Sequence, residues 1–408
     1  MLKRDRIDQK DLETIAEWLP SHDPVVVPAS PCGRALIPVA DTLLDGNEMT
    51  YVAECIQSNW ISSQGRFVKE FEREFARAVG CEYGIACSNG TVALHLALAA
   101  LGLGPGDEVI MPTFTMIATA NAIGYTGASP VLVDAEPATW NIDPGLIEEK
   151  VTPRTRAIVI VHTYGHPAGM TEILELARKY DIPVIEDAAE AHGALYRGRP
   201  VGSLGLGARF SFYANKIVST GEGGMVVTND RELAEVARCL RDHAFSPERH
   251  FWHQYRGFNY RMTNMQAAIG LAQTERLPKL IAKRRETARL YEEVLRRVEG
   301  LTLPVEETGV TNVYWMFGLL VDEEKFGCSR DELRRRLAAA GIETRTFFIP
   351  IHFQPIYFAQ FRGQRFPVAE ALCRQGMYLP SGPALTAEEI RYVAETIAGI
   401  RRERSACA

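Results

Sequence analysis

The sequence lacks several features that would place a chain in a special class of protein. Its 408 residues include 8 cysteines but no Cys-x-x-Cys pair, so neither a metal-binding knuckle nor a thioredoxin-type redox site is indicated. No apolar run approaches the length of a membrane span, and residues 1–18 contain no apolar signal-peptide core. These absences favour a cytoplasmic protein with free thiols, no bound metal and no membrane anchor.

Long runs of positive charge are also missing. The formal net charge is -6, so we expect no nucleic-acid partner. Internal repeats and low-complexity tracts are absent as well. What is present is an ordinary globular composition, with 46% hydrophobic and 24% charged residues. A chain of this length predicts either several domains or one large domain with a smaller one.

Short apolar segments alternate with helix-like segments through the first half of the chain. Strand-like segments at 83–87, 108–111, 157–161 and 183–186 are short and mostly apolar, which predicts a mostly parallel α/β sheet covered on both faces. Further along, strand-like segments at 312–321 and 342–348 and helices at 330–340 and 387–400 predict a smaller C-terminal α+β domain. We divide the chain into an N-terminal arm (1–30, a short amphipathic helix and a Pro-rich stretch), a large domain (31–280) and a small domain (281–408).

One lysine stands between two strand-like segments. Residues 208–213 form the first segment, Lys216 follows in a polar turn, and a glycine cluster leads into the second segment at 225–228. Lysine is rarely buried unless it is paired or used in chemistry, and burial would lower its pKa and make the amine nucleophilic. On spacing alone, a surface lysine at the edge of a loop explains the pattern equally well.

Two further segments suggest ligand binding. Asp187 comes directly at the end of the strand-like segment 183–186, as the residue that follows it. The carboxyl ends of parallel strands form the edge where α/β sheets bind ligands. An aspartate that caps a helix is the alternative. Residues 88–91 lie between a strand and the start of a helix, where backbone N–H groups and the helix dipole favour phosphate, although such residues also serve as ordinary caps.

These segments together resemble the DegT/DnrJ/EryC1/StrS aminotransferases, which use pyridoxal 5'-phosphate (PLP) and act mostly on keto sugars. The likeness runs from Ile37 to the last helix and is strongest at Ser211-Phe212, Asn215-Lys216, Thr220-Gly221-Glu222-Gly223-Gly224 and the run from Glu186 to Gly193. It implies the aspartate-aminotransferase fold (fold type I), with a mostly parallel mixed sheet in the large PLP-binding domain. It also implies a homodimer whose active sites are shared between subunits.

The resemblance assigns roles to individual residues. Lys216 would hold PLP as a Schiff base and, once displaced by the amino donor, move protons as the free amine, while Asp187 would keep the PLP ring nitrogen protonated. Glu190 would face the phenolic oxygen of PLP. Met116 would take the place of the aromatic ring that many relatives put over PLP, with Phe114 as the alternative. The phosphate contacts would come from Gly90, Thr91, Ser211 and, from the neighbouring subunit, Asn259, which otherwise caps a helix.

Further strings resemble the GDP-perosamine synthase group, which aminates a nucleotide-linked 4-keto-6-deoxy hexose. They include residues 139–143, 257–264, 313–316 and 352–355. On this resemblance the amino donor is glutamate, and Tyr314, Trp315 and His352 would border the sugar or the nucleotide. A core strand explains the aromatic pair equally well. The alternatives are an aminotransferase acting on a non-nucleotide keto sugar or a cyclitol, and a non-catalytic regulator that retains PLP on the same fold.

Overall fold

The structure is a computed structural model that describes residues 9–18, 36–246, 248–249 and 251–407. Within the N-terminal arm it describes helix α1 (Gln9–Trp18), while the Pro-rich stretch lies outside the described residues. Ile15 of α1 is buried against Phe353 and Phe358, and Asp11 forms an ion pair with Arg362. The arm helix therefore packs on the C-terminal part of its own chain.

A seven-stranded sheet forms the centre of the large domain. Its strands are β1 (Tyr83–Cys87), β2 (Glu108–Pro112), β3 (Ser129–Val133), β4 (Thr155–Val161), β5 (Val184–Asp187), β8 (Gly207–Ser211) and β9 (Gly224–Thr228), with the short β6 (Leu195–Tyr196) and β7 (Arg199–Pro200) outside it. The order is β1-β9-β8-β5-β4-β2-β3. Neighbours from β8 to β3 run parallel, whereas β9 is antiparallel to both β1 and β8. This arrangement confirms the predicted mostly parallel mixed sheet.

Helices cover the sheet and position its loops. They are α2 (Glu48–Gln57), α3 (Arg66–Ala78), α4 (Gly90–Ala100), α5 (Ile117–Thr126), α6 (Met170–Tyr180), α7 (Arg231–Arg241) and α8 (Asn264–Glu275). Helix α3 buries one apolar face, including Phe67, Phe71 and Phe75, and leaves its charged face in solvent, as its helical spacing predicts. Helix α4 begins at a cap, because the Asn89 side chain accepts a hydrogen bond from the Val92 N–H at 3.0 Å.

A second apolar core lies in the C-terminal part. Its elements are α9 (Leu277–Leu295), β10 (Leu301–Thr302), β11 (Val310–Thr311), β12 (Phe317–Val321), α10 (Glu323–Phe326), α11 (Arg330–Ala339), β13 (Arg345–Thr346), α12 (Pro355–Phe361), α13 (Pro367–Gln375), β14 (Gly376–Leu379) and α14 (Ala387–Cys407). Four strands form an antiparallel sheet in the order β10-β12-β14-β13. Helix α9 connects the two cores, with Leu277 and Leu280 in the first and Tyr291 and Leu295 in the second. The predicted division at 280/281 falls inside this helix.

Two predicted strands in the C-terminal part are much shorter in the structure. Within 312–321 only β12 is a strand, and the short β11 before it pairs with β6 in a separate sheet. Tyr314 turns the chain between them, with a positive φ of 46° that a continuous strand cannot contain. Within 342–348 only Arg345 and Thr346 pair with β14. Outside β12 and β13, Val313, Trp315, Met316 and Phe347 are buried in irregular parts of the chain.

Two negative findings apply to the described ranges. None of their helices combines the length and the apolar composition needed to cross a bilayer. In those same ranges, no three or more His, Cys, Asp or Glu side chains gather in a way that could hold a metal ion.

Candidate active site

A cavity of about 730 Å³ opens at the carboxyl edge of the parallel strands. The segments after β1 and β2 and the last residues of β4, β5 and β8 all contribute to its wall. Because parallel strands end at the same edge, residues far apart in sequence meet there. Of the predicted site residues, the cavity lining contains Gly90, Thr91, Met116, Asp187, Glu190, Ser211, Lys216 and Trp315.

Lys216 is a buried lysine of this cavity and not a surface residue. Only 11% of its side chain is exposed, and its Nζ lies 3.5 Å from Glu190 Oε1. The same Nζ lies 3.5 Å from the centre of the Trp315 ring, within the range of a cation–π contact. Burial lowers the pKa of Lys216 to about 8, although the carboxylate of Glu190 opposes the shift. The amine is therefore closer to its neutral, nucleophilic form than an ordinary lysine.

Asp187 is the last residue of β5 and caps no helix. Its carboxylate is buried, and Oδ2 accepts hydrogen bonds from the Thr119 hydroxyl at 2.7 Å and from the Arg209 guanidinium. Oδ1 accepts a longer bond of 3.3 Å from the Ala189 N–H. The two strong donors thus hold one oxygen and leave the other with capacity for a ligand donor.

Glu190 lies between Lys216 and the backbone of Tyr164. The Tyr164 N–H donates to Glu190 Oε2 at 2.9 Å, and burial raises the pKa of this carboxyl group. Tyr164 itself has a φ of 52°, a left-handed conformation that is costly for a bulky residue. Its ring is buried against Trp315, Phe347 and other aromatic side chains, which hold this conformation in place. The strained residue therefore places one backbone donor on Glu190.

The turn before α4 has the features of an anion site. Gly90 is the first residue of the helix, and its backbone N–H is among those that a helix leaves unpaired. A Cβ atom on Gly90 would lie 2.7 Å from Arg209 Nη1 and 3.0 Å from Ser211 Oγ, so only glycine fits against β8. A Cβ atom on Gly224 would lie 2.3 Å from the Asn89 carbonyl oxygen. The predicted glycine cluster thus lets β9 pass close to this turn.

The structure brings some of the other predicted residues to the cavity and leaves others elsewhere. Met116 is 51% exposed at the cavity wall, directly before α5. Tyr314 is buried and packs on Phe317, outside the described lining of this cavity. Asn259 is exposed and also lies outside the lining formed by its own chain.

His352 likewise lies outside that lining. It is buried, its Nδ1 lies 2.8 Å from the hydroxyl oxygen of Thr113, and its Nε2 lies 3.6 Å from Glu370 Oε1. Burial lowers its pKa to about 4, so the imidazole is neutral near pH 7. These contacts give His352 a structural position behind the strand edge.

Sequence reasoning missed three residues that shape the site: Thr119, Tyr164 and Arg209. Thr119 and Tyr164 carry no recognisable signal, because their contacts with Asp187 and Glu190 arise only when distant segments fold together. Arg209 does carry one, since it is a charged residue inside the otherwise apolar or small strand β8, two positions before Ser211. Strand alternation places residues 209 and 211 on the same face of the sheet.

These residues fit PLP. An amine and a carboxylate line one cavity, a glycine cradle adjoins the first turn of a helix, and the buried Arg209 Nε has no hydrogen-bond partner in the described chain. PLP requires an amine, a counter-ion for its ring nitrogen and a phosphate site, and the cavity wall contains a candidate for each. The polar groups of the cavity lining suit an organic anion, and the described lining residues include no thiol or imidazole.

The chain is similar to known proteins over most of its length. The model of the DegT/DnrJ/EryC1/StrS aminotransferase family matches residues 43–398. GDP-perosamine synthase of Caulobacter vibrioides is 49% identical, with 87% of this chain and 95% of that protein covered. GDP-perosamine synthase of Escherichia coli O157:H7 is 46% identical, with coverages of 88% and 97%. The crystal structure of Streptomyces venezuelae DesV in complex with a ketimine intermediate is 36% identical, with a TM-score of 0.85 and coverages of 90% and 99%.

Proposed function

The chain belongs to the DegT/DnrJ/EryC1/StrS aminotransferase family and is a PLP-dependent aminotransferase, and from this premise we propose that it aminates a nucleotide-linked 4-keto-6-deoxy hexose with glutamate as the donor. The observation that carries the reaction class is the placement of Lys216 and Asp187 in the wall of one cavity. The sugar class is supported by the 49% and 46% identity to two GDP-perosamine synthases.

We assign the covalent attachment and the proton transfer to Lys216. When bound, PLP supplies an electron-withdrawing ring that stabilises the negative charge left when a substrate C–H bond breaks. With a pKa of about 8, the Lys216 amine is a competent base near neutral pH. Glu190, 3.5 Å away, keeps the amine on the cavity side and accepts a hydrogen bond from its charged form.

We assign the ring-nitrogen contact to Asp187 and the phosphate contacts to Gly90, Thr91 and Ser211. A buried carboxylate stabilises a proton on a pyridine nitrogen, which increases the electron demand of the ring. The α4 N-terminus offers unpaired N–H groups and a positive dipole end to the phosphate. Met116 offers its thioether to the face of the ring.

We also propose a homodimer whose partner subunit completes each site. Asn259 lies outside its own cavity, as a residue that serves the neighbouring site would. Exposed apolar side chains support a protein interface, among them Met49 at 81%, Trp60 at 58% and Tyr255 at 66%. A symmetric dimer would bury such a surface in both copies. A cytoplasmic location remains part of this proposal, supported by the buried thiols of Cys55, Cys81 and Cys87.

Trp315 is the predicted substrate residue that the geometry favours. It lines the cavity beside Lys216, and its Nε1–H donates to the Asn215 carbonyl oxygen at 2.8 Å, which fixes the ring. Flat apolar rings pack well on the C–H faces of sugars and on bases. Tyr314 and His352 lie behind the cavity wall, and we propose that they support the wall.

The test is a two-step assay with the purified protein. Glutamate should change the visible absorbance of the bound cofactor, and a GDP-linked 4-keto-6-deoxy hexose should restore it while gaining an amino group detectable by mass spectrometry. Other amino donors, among them glutamine, and a cyclitol ketone serve as competing substrates. Amination of the cyclitol or a free keto sugar alone would contradict the sugar assignment. A cofactor that responds to no amino donor would favour the non-catalytic regulator.

A further inference from the structure

Arg209 is a buried cation at the floor of the cavity that none of the roles above uses. It is 5% exposed and lies on β8 two positions before Ser211. The alternate residues Phe210 and Phe212 pack on Phe75 on the opposite face of the sheet. Arg209 and Ser211 therefore face the cavity, where both line the wall.

One end of the Arg209 guanidinium is held by Asp187. Nη2 donates to Asp187 Oδ2, the oxygen that also accepts the Thr119 hydroxyl. Nε is buried and has no hydrogen-bond partner in the described chain. A buried guanidinium N–H without a partner is costly, and such a group is a candidate for a ligand contact.

The other end reaches the turn assigned to the phosphate. A Cβ atom on Gly90 would lie 2.7 Å from Arg209 Nη1, 2.7 Å from Ser211 Cβ and 3.0 Å from Ser211 Oγ. Nη1 therefore lies directly over the first residue of α4, next to Ser211. One planar side chain thus spans the Asp187 carboxylate and the α4 N-terminus.

Charge balance in the cavity points to the same contact. Among the described lining residues the acids are Asp187, Glu190 and Glu222, and the cations are Lys216 and Arg209. A phosphate ester adds about two negative charges. Lys216 uses its amine for the covalent attachment, so Arg209 is the remaining cation of the described lining. A buried dianion needs such a partner, and guanidinium matches phosphate geometry.

We propose that Arg209 binds the PLP phosphate while it holds Asp187, so that one guanidinium connects the two ends of the cofactor. The inference rests on the roles proposed for Asp187 and the α4 turn. Nη2 positions the carboxylate, and Nη1 or Nε donates to a phosphate oxygen. Cofactor affinity should therefore depend on Arg209 chiefly through the phosphate.

The test compares PLP with pyridoxal, which lacks the phosphate. Full-length apoprotein is titrated with each compound, for the wild type, Arg209→Gln and Arg209→Lys. Loss of a charge-assisted hydrogen bond should raise the Kd for PLP about ten- to a hundredfold in Arg209→Gln, with a much smaller change for pyridoxal. Arg209→Lys should lie between, because it keeps the charge without the planar fork. Inorganic phosphate alone should raise the Tm of wild-type apoprotein more than that of Arg209→Gln.

Arg330→Gln is the matched control. Arg330 is equally buried but donates to the Cys373 and Gly376 carbonyl oxygens in the small domain. Its loss should lower stability and leave the ratio of the PLP and pyridoxal affinities unchanged. If Arg209→Gln folds poorly, the double variant with Asp187→Asn removes both buried charges, and its affinity ratio gives the same test.

Two outcomes would overturn the proposal. Equal losses of affinity for PLP and pyridoxal in Arg209→Gln would mean that Arg209 acts only through Asp187. An unchanged affinity for PLP would show that Arg209 makes no contact with the phosphate. These measurements contain no sugar and no amino donor. A failure to aminate the GDP-linked keto sugar would therefore reject the proposed substrate and leave the Arg209 result standing.

Discussion

The two faces of the central sheet use the same residue types in opposite ways. On the core face, Glu186 accepts hydrogen bonds from His162 and from the backbone N–H groups of Gly202, Leu204 and Gly205. Burial favours the neutral acid, but these four donors outweigh it and lower the pKa of Glu186. One residue later, Asp187 faces the cavity with Oδ1 only weakly bonded. Of these two acids, the one that serves the fold is saturated with donors and the one that faces the cavity keeps spare capacity.

The basic groups of the two faces differ in their surroundings. On the core face, His192 lies among aromatic rings, and its Nε2–H donates to the Ser211 carbonyl oxygen at 2.9 Å. Burial lowers its pKa to about 3, so it stays neutral and has a structural role. On the cavity face, Lys216 and Arg209 remain close to acids and to open space. A buried ionisable group is therefore a site residue here only when it also borders the cavity.

The largest expected effect comes from removing the amine of the cavity face. Lys216→Ala should lower transamination by about 10⁴-fold or more, since both the covalent attachment and the base are lost. The far-UV circular dichroism spectrum should stay that of the wild type. Turnover by the variant at the wild-type rate would show that Lys216 takes no part in the reaction, and it would refute the proposed difference between the two faces.

The adjacent acids test the two faces directly. Asp187→Asn should leave the fold intact and lower turnover about 10²- to 10³-fold, because a charge aimed at the cofactor is lost. Glu186→Gln should instead lower the free energy of unfolding by about 1–3 kcal/mol, because it disturbs a saturated buried network, with turnover largely kept in the folded fraction. Urea unfolding and steady-state kinetics on both variants decide the matter. Similar profiles for the two would show that the faces do not differ.

A third prediction concerns pH and the stability of the protein without PLP. The pKa of Lys216 is lowered from 10.5 to about 8, so the unfolded chain binds more protons than the native one between these values. The free energy of unfolding should therefore rise with pH across this window, by about 3 kcal/mol from this group. Lys216→Met, which keeps an apolar stem, should lose that rise. Parallel curves for the two proteins would refute the burial of a titrating amine.

The smallest effect is expected at Thr119. Thr119→Val removes one of the two strong donors on Asp187 Oδ2 while the Arg209 bond remains. Turnover should fall only about tenfold, since one hydrogen bond to a charged group contributes about 1.5 kcal/mol at the low end and the Arg209 bond keeps the carboxylate in place. Thr119→Ser should restore the wild-type rate, because it keeps the hydroxyl. A loss of turnover as large as that of Asp187→Asn would mean that the Arg209 bond by itself is not enough to hold the carboxylate in position.

Prediction from the sequence succeeds best where the local pattern is strong. Strand β1 has the predicted bounds, and β2 and β4 differ from theirs by one or two residues, because short, mostly apolar runs between helices have few alternative structures. The segment 312–321 is only partly a strand, since a left-handed Tyr314 interrupts it and Val313, Trp315 and Met316 are buried without strand pairing before β12 begins at Phe317.

The sequence by itself determined the class of fold and the family, since these depend on local periodicity and on contiguous strings around Lys216 and Asp187. Only the tertiary structure decided which side chains share the cavity. It placed Arg209 between Asp187 and the α4 turn, and it kept Tyr314 and His352 out of the described lining. The physical reason is that strand order and loop conformation, which set these contacts, arise from packing among distant segments and leave no periodic signal in the chain.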